Sequence, residues 1–119
     1  MQPEARYRDP ATLLDIRIAG QKIHAFINGL TEAGFQKDAL TQAAVKYELT
    51  LIGEAVARLS PGFLSAHPSL PWVKIKALRN RLVHAYDAID LNELWAILQV
   101  SLPPLLAYID PLIPPPDSE

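Results

Sequence analysis

The chain contains no cysteine among its 119 residues. This absence excludes disulfides, thiolate zinc sites and a cysteine nucleophile, and it is typical of proteins from a reducing compartment. No apolar run approaches the roughly 18 residues of a membrane-spanning helix, because charges or prolines interrupt each one. A basic-then-apolar leader is also missing from the N-terminus. We therefore expect a soluble protein located in the cytoplasm.

An excess of positive charge is missing as well. The formal net charge is −2 and the isoelectric point is near 5.9, which argues against binding nucleic acid through bulk charge. Any contact with RNA or DNA must depend on a local basic patch. Because the sequence has no glycine-rich phosphate loop and no nucleophile elbow, NTPase and serine hydrolase activities lack support.

What is present is a set of four segments with apolar residues at helical spacing, while no alternating strand pattern of useful length occurs. Asp9 is expected to cap the first helix and Pro10 to occupy its first position, which leaves residues 1–8 as an N-terminal arm. Asp38 or Thr41 is expected to cap the second helix. The predicted apolar faces of these two helices comprise Leu13, Ile16, Ile23, Phe26, Ile27 and Leu30, and Leu40, Ala44, Tyr47, Leu51, Ala55 and Leu59.

The remaining two helices follow a proline-rich connection over 61–71 that has room for a turn or two of helix. The third helix begins at Trp72 and ends near 87–89. The fourth begins with a capping-box variant, Asp90 with Glu93, and is kinked or divided by the proline pair at 103–104. Residues 111–119 form a proline-rich tail that we expect to be mobile. The pattern predicts one all-α domain over 1–119, an antiparallel up-and-down bundle of four main helices with a short extra helical segment.

The third helix carries the basic patch that the composition as a whole lacks. Its lysines and arginines, with no acidic residue between 72 and 86, are Lys74, Lys76, Arg79 and Arg81. On an ideal helix Asn80 and His84 share a face away from the apolar stripe, whereas Arg79 and His84 differ by about 140°. Both side chains can reach one phosphate only if the helix unwinds before His84 or if a second subunit completes the site.

Ordinary structural roles explain the same residues. A basic helical face is often only solvated, a histidine at a helix end often compensates the helix dipole, and a tyrosine on an apolar stripe is often part of the core. Glu54 can pair with Arg79 or Arg81, or remain solvated. His24 and His67 are expected to be structural, and because the histidines have no metal-ligand spacing, neither a metal nor a cofactor is predicted.

The segment "RNRLVHAY" at 79–86 resembles the signature of the HepT-like branch of the HEPN superfamily, an arginine, a polar residue, a short gap and then His-x-Tyr. The resemblance extends in order along "LIGEAVARLS" at 51–60, "HPSLPWVKIKALRN" at 67–80 and "IDLNELWAIL" at 89–98. It departs at Ala77, where a small glycine-like position is expected. The signature residues themselves are all present.

The resemblance implies a HEPN-like homodimer that is the metal-independent endoribonuclease of a toxin–antitoxin pair. It implies catalytic roles for Arg79, which stabilises the phosphate, for His84 as general acid or base, and for Asn80 as an orienting residue. Lys74, Lys76 and Arg81 are then the RNA-binding residues. The expected products are a 2′,3′-cyclic phosphate and a 5′-hydroxyl.

The resemblance also implies a partner, an antitoxin of the MntA type, a minimal nucleotidyltransferase that transfers AMP to Tyr86. A core tyrosine whose hydroxyl reaches solvent is the structural alternative, and the two roles are compatible. Two further functions stay open: a non-catalytic helical module that presents nucleic acid or nucleotide to a nucleotidyltransferase, and a structural dimerisation bundle. In the latter case we expect Arg79 in buried salt bridges.

Overall fold

The computed structural model describes the backbone of residues 3–115 and the side chains of residues 8–115. Within that range the chain is helical without strands, and the antiparallel up-and-down bundle of four main helices is confirmed. The helices are α1 (Pro3–Ile27), α2 (Glu32–Gln36), α3 (Ala39–Arg58), α4 (Pro61–Ala66), α5 (Trp72–His84), α6 (Leu91–Ala96) and α7 (Leu102–Ile109). None of these described helices combines the length and apolar content needed to cross a membrane.

The central helix of the bundle is α3, which packs against α1 on one side and α5 on the other. The last main helix, formed by α6 and α7, packs against α2 and α1. Branched aliphatic side chains fill most of the space between these helices, and the aromatic rings of Phe35 and Trp95 meet at 5.2 Å between centroids where α2 contacts α6. The basic helix α5 therefore lies at the edge of the bundle, with much of its surface open to solvent.

The first helix begins earlier than the sequence predicts. Its backbone is helical from Pro3, so the expected N-terminal arm is wrong for residues 3–8, and residues 1–2 lie outside the described range. Pro10 is inside the helix and not at its first position. Asp9 does not act as its cap, because its buried carboxylate accepts hydrogen bonds from the Ser60 amide at 2.9 Å and the Ser60 hydroxyl at 2.6 Å. A tertiary contact thus replaces the predicted local one.

The apolar face assigned to α3 is only partly correct. Asp38 caps this helix as predicted, accepting from the Thr41 amide at 3.0 Å. Leu40 and Tyr47, however, are 82% and 61% exposed. The buried stripe is displaced around the helix and consists of Val45, Leu49, Ile52, Ala55, Val56 and Leu59. Apolar residues occupy more than one face of α3, and packing between α1 and α5 decides which of them is buried.

The fourth main helix is divided, as its proline pair predicts. Pro103 and Pro104 have no amide hydrogen, so they cannot donate to carbonyls of the preceding turn. That turn, Ile97–Ser101, is a π-type segment, and the Leu102 amide donates to the Ile97 carbonyl. The predicted tail starts as a 3₁₀ turn, Asp110–Leu112, followed by a partly buried Ile113 that packs on the core. Residues 116–119 lie outside the described range.

Candidate active site on helix α5

Helix α5 contains three of the signature residues, Arg79, Asn80 and His84, and it ends before the fourth, Tyr86. It begins at Trp72 as predicted, with the indole N–H donating to the His67 carbonyl at 2.9 Å, and it stays helical through His84. Ala85 then leaves the helical conformation at φ −140° and ψ 47°, and a 3₁₀ turn, Tyr86–Ala88, follows. The helix therefore does not unwind before His84. Within one chain, Arg79 and His84 stay on different sides of α5, about 140° apart.

Arg79 is placed by an unusually close approach of α3 and α5. Gly53 on α3 is buried directly against it, and a Cβ on Gly53 would overlap the Cβ and Cγ atoms of Arg79. The absence of a side chain at Gly53 thus allows the arginine to lie across α3. Its Nε is buried and has no hydrogen-bond partner among the described residues.

The guanidinium of Arg79 reaches the surface and has two neighbours there. Its Nη1 donates to the Asn80 side-chain oxygen at 3.0 Å, and its Nη2 lies 3.6 Å from a carboxylate oxygen of Glu54. The Arg79 side chain is 33% exposed and that of Glu54 41% exposed. This ion pair is long and half-exposed, so it differs from the buried salt bridge expected of a structural dimerisation bundle.

His84 lies exposed in the last turn of α5 and forms no hydrogen bond with the described part of the chain. Asn80 shares a helix face with His84 on an ideal helix, but its side-chain oxygen accepts a hydrogen bond from Arg79. The structure therefore brings Arg79 and Asn80 together in one chain, and leaves the His84 ring free to meet a ligand or another molecule.

The remaining basic residues of α5 differ in availability. Lys74 and Lys76 are exposed, and no carboxylate in the described range pairs with either. Arg81 instead forms a bidentate pair with Glu93 of α6, with N–O distances of 2.7 and 2.8 Å. These hydrogen bonds raise the pKa of Arg81 above its usual value and hold the pKa of Glu93 below its own. The capping box predicted for Glu93 is therefore wrong, although Asp90 does cap α6 by accepting from the Asn92 amide.

Tyr86 lies outside the core, at the start of the 3₁₀ turn, and is 42% exposed. The core position that its structural alternative assigns to it is wrong, because Tyr86 is not among the residues that form or pack on the described core. Its neighbour is Lys46 of α3, whose ammonium donates to the Tyr86 carbonyl at 3.1 Å and stands 4.3 Å from the centre of the ring.

Two residues near this site, Lys46 and Gly53, were not predicted from the sequence. A lysine on an amphipathic helix is usually solvated, and no local pattern links position 46 to position 86. Gly53 had a signal, since a glycine in the interior of a helix is unfavourable and often marks close packing. The small residue that lies against Arg79 is Gly53, on the neighbouring helix.

The other two histidines are not part of α5. His24 is exposed on α1, beside a groove that α1 and α7 form. His67 is partly buried and its Nδ1 lies 2.8 Å from the Tyr108 hydroxyl, so it has the structural role expected of it. In the described range, no three histidine or carboxylate side chains gather as metal ligands do.

Comparison with known proteins relates these features to a family. Residues 16–112 match the family model described as "Ribonuclease HepT-like". The chain belongs to the HepT-like ribonuclease family. The match includes α5 and every signature residue, so the HepT-like resemblance of the 79–86 segment is confirmed.

Individual relatives agree with this assignment. The HepT-like chain is 36% identical over 103 residues to "Putative RNase MJ0127" of Methanocaldococcus jannaschii, covering 87% of this chain and 85% of that protein. It is 33% identical over 100 residues to "Probable ribonuclease HepT" of Thermococcus cleftensis, covering 84% of this chain and 91% of that protein. No solved structure gave a significant match.

Proposed function

We propose that this HepT-like protein is a metal-independent endoribonuclease and the toxin of a toxin–antitoxin pair that acts in the cytoplasm. The observation that carries the proposal is the state of the signature residues on α5. The imidazole of His84 is exposed, and the guanidinium of Arg79 reaches the surface with only a long, half-exposed partner in Glu54. Both groups are available to a ligand, which a purely structural helix does not require.

The chemistry of RNA cleavage matches these two residue types. RNA supplies its own nucleophile, the 2′-hydroxyl, so the protein needs a proton carrier, a cation beside the phosphate and correct alignment. His84 serves as general acid or base, a contribution of about 10²- to 10⁴-fold in rate. Arg79 forks onto two phosphate oxygens, where charge accumulates in the transition state. The products are a 2′,3′-cyclic phosphate and a 5′-hydroxyl.

Asn80 assists by holding the guanidinium. The hydrogen bond from Arg79 Nη1 to the Asn80 side-chain oxygen fixes one edge of the guanidinium. The other edge is left for the phosphate, which replaces the weak contact with Glu54. Lys74 and Lys76, exposed along the same helix, attract the RNA backbone. Arg81 joins them only if RNA displaces Glu93 from its bidentate pair.

A homodimer is required to complete this site. Because α5 remains regular through His84, Arg79 and His84 of one chain point about 140° apart and cannot engage one phosphate from a straight helix. Two α5 helices that face each other across a twofold axis place Arg79 of one protomer opposite His84 of its partner. The dimer then contains two such composite sites.

Tyr86 provides the means of inhibition in this proposal. An MntA-type nucleotidyltransferase antitoxin transfers AMP to the hydroxyl of this 42%-exposed residue and so places a bulky anion two residues from His84. By charge, the adduct competes with RNA for the same cations.

The test is cleavage of a total RNA pool by the purified protein in the presence of EDTA, with His84→Ala alongside. We expect the wild type to cut RNA without a divalent ion and to leave 2′,3′-cyclic phosphate ends, and the variant to lose at least about a hundredfold in rate. Cleavage that needs a divalent ion, or that survives the substitution, refutes the mechanism.

A non-catalytic module that presents nucleic acid or nucleotide to a nucleotidyltransferase is the second candidate. The observation that favours it is that Arg79 contacts Asn80 and Glu54 within one chain, while His84 stands apart. Such a module binds RNA through Lys74 and Lys76 and leaves the RNA intact. Gel-shift binding without any cleaved product, unchanged in His84→Ala, distinguishes it from the enzyme.

A further inference from the structure

Lys46 is a buried lysine whose ammonium contacts Tyr86. Only 7% of the residue is exposed, although lysine is among the residues least often buried. Its ammonium donates one hydrogen bond to the Tyr86 carbonyl and stands over the face of the Tyr86 ring. No carboxylate in the described range forms an ion pair with it. Among the described residues, the hydrogen bond and the ring contact of the ammonium are therefore both with Tyr86.

The contact between Lys46 and Tyr86 lies just after the end of α5. Ala85 has left the helix, and the 3₁₀ turn that follows has no side-chain cap of its own. Backbone hydrogen bonds from the Ala85 amide to the Arg81 carbonyl and from the Ala88 amide to the Ala85 carbonyl hold this turn. Lys46 of α3 further stabilises this turn, because its ammonium contacts both the backbone carbonyl and the ring of Tyr86.

Lys46 forms no hydrogen bond with the hydroxyl of Tyr86, which is the group that would react. The carbonyl and one ring face are engaged, while the hydroxyl forms no hydrogen bond with the described part of the chain and the residue remains 42% exposed. An ammonium donates up to three hydrogen bonds, and only one is used here. Lys46 thus has donors to spare for an anion attached to the phenol oxygen.

We propose that Lys46 positions Tyr86 as the acceptor of a nucleotidyl group and serves as the counter-ion of the resulting phosphodiester. This inference depends on the proposed modification of Tyr86. In that step the phenol oxygen forms a bond to the α-phosphorus of ATP, the bond between the α- and β-phosphates breaks, and pyrophosphate leaves. The phenolic proton passes to a base that the transferase supplies. The adduct then carries one negative charge beside a lysine that has no ion-pair partner among the described carboxylates.

The test follows AMP transfer to the full chain by an MntA-type nucleotidyltransferase and ATP, measured as the mass increase of the peptide that contains Tyr86. Hydrogen exchange of the amides of residues 85–88 is measured in parallel. In Lys46→Met we expect the rate of transfer to fall by about ten- to a hundredfold, mostly in kcat, because the acceptor is no longer held in place. Exchange in the turn should rise several-fold. Lys46→Arg, which keeps the charge, should restore most of both.

Lys37→Met is the matched control, because Lys37 is an exposed lysine near the N-terminal end of α3 whose side chain forms no hydrogen bond or ion pair with Tyr86 or with the described residues of α5. Should Lys46→Met not fold, Lys46→Gln removes the charge and keeps a donor for the Tyr86 carbonyl. If the wild type is not modified, the proposed modification of Tyr86 fails. If the wild type is modified and both neutral variants are modified at the same rate, the proposed modification stands and the role of Lys46 is refuted.

Discussion

Gly53 of α3 lies directly beneath Arg79 of α5, so close that a Cβ on the glycine would overlap two side-chain carbons of the arginine. This contact joins the packing of the bundle to the candidate active site. The two helices approach because position 53 has no side chain, and the guanidinium emerges from that crossing between Asn80 and Glu54. Perturbing the crossing should therefore change both stability and activity.

Gly53→Ala should destabilise the fold by about 1–3 kcal/mol, because the added methyl group meets the base of Arg79 rather than the far end of a flexible chain. The gain in helix propensity, up to about 1 kcal/mol, is too small to offset this overlap. Urea denaturation measures the difference. Cleavage of RNA should fall in the same variant, because Arg79 must move.

Gly62→Ala is the control for this substitution. Gly62 lies in α4, and a Cβ there meets nothing within 4 Å. Its free energy of unfolding should equal that of the wild type or exceed it by a few tenths of a kcal/mol. Equal stability of Gly53→Ala and the wild type would show that α3 and α5 are not in close contact at this crossing.

Glu93→Gln tests the bidentate pair with Arg81. Because Arg81 lowers the pKa of Glu93, the pair stabilises the fold above the ordinary carboxyl pKa of 4.5 and loses that contribution as the pH falls through the lower, folded value. The stability difference between wild type and Glu93→Gln should thus be constant from neutral pH to about pH 5 and shrink below it. Thermal unfolding measured across this range provides the comparison.

Glu32→Gln is the matched control for the pH series, because Glu32 is exposed and accepts only one long hydrogen bond, from Gln36 at 3.4 Å. It should show little difference from the wild type at any pH. A Glu93→Gln difference that grows on acidification would contradict the assigned pairing. If Arg81 also binds RNA, breaking the pair frees it, and Glu93→Gln should bind RNA more tightly.

Asp9→Ala should cost about 1–3 kcal/mol of stability, because it leaves the buried amide and hydroxyl of Ser60 without their acceptor. Asp15→Ala is the comparison. Its carboxylate is 60% exposed and makes a 3.4 Å pair with Arg58, so its loss should cost less than about 1 kcal/mol. Similar losses in the two variants would indicate that Asp9 is solvated and does not anchor the start of α4.

The sequence was sufficient for the features that local chemistry controls. Neighbours within a few residues decide the helix start at Trp72, the caps at Asp38 and Asp90, the division of the fourth helix, and the positions of Arg79, Asn80 and His84 on α5. The predicted end of this helix near 87–89 is wrong, because α5 ends at His84 and Tyr86 begins the turn that follows. Helical periodicity alone then predicts the class of fold, because four apolar stripes need one another to be buried.

Features that depend on distant residues were missed. Asp9 has the local chemistry of a helix cap, yet Ser60 is 51 residues away. Glu93 fits a capping box, but Arg81 of the preceding helix offers a stronger bidentate partner. In the sequence Lys46 has the context of a solvated lysine, whereas in the fold its ammonium lies over the Tyr86 ring. In each case a partner that is distant in the sequence replaces the local one. The spacing of residues along the chain cannot identify that partner.

Mixing two inactive variants tests most directly whether Arg79 and His84 of different protomers form one site. Arg79→Ala and His84→Ala should each be nearly inactive alone. After unfolding and refolding together, half of the dimers are mixed and each contains one intact composite site, so we expect about a quarter of wild-type RNA cleavage with EDTA present. A mixture no more active than either variant alone would contradict the shared site.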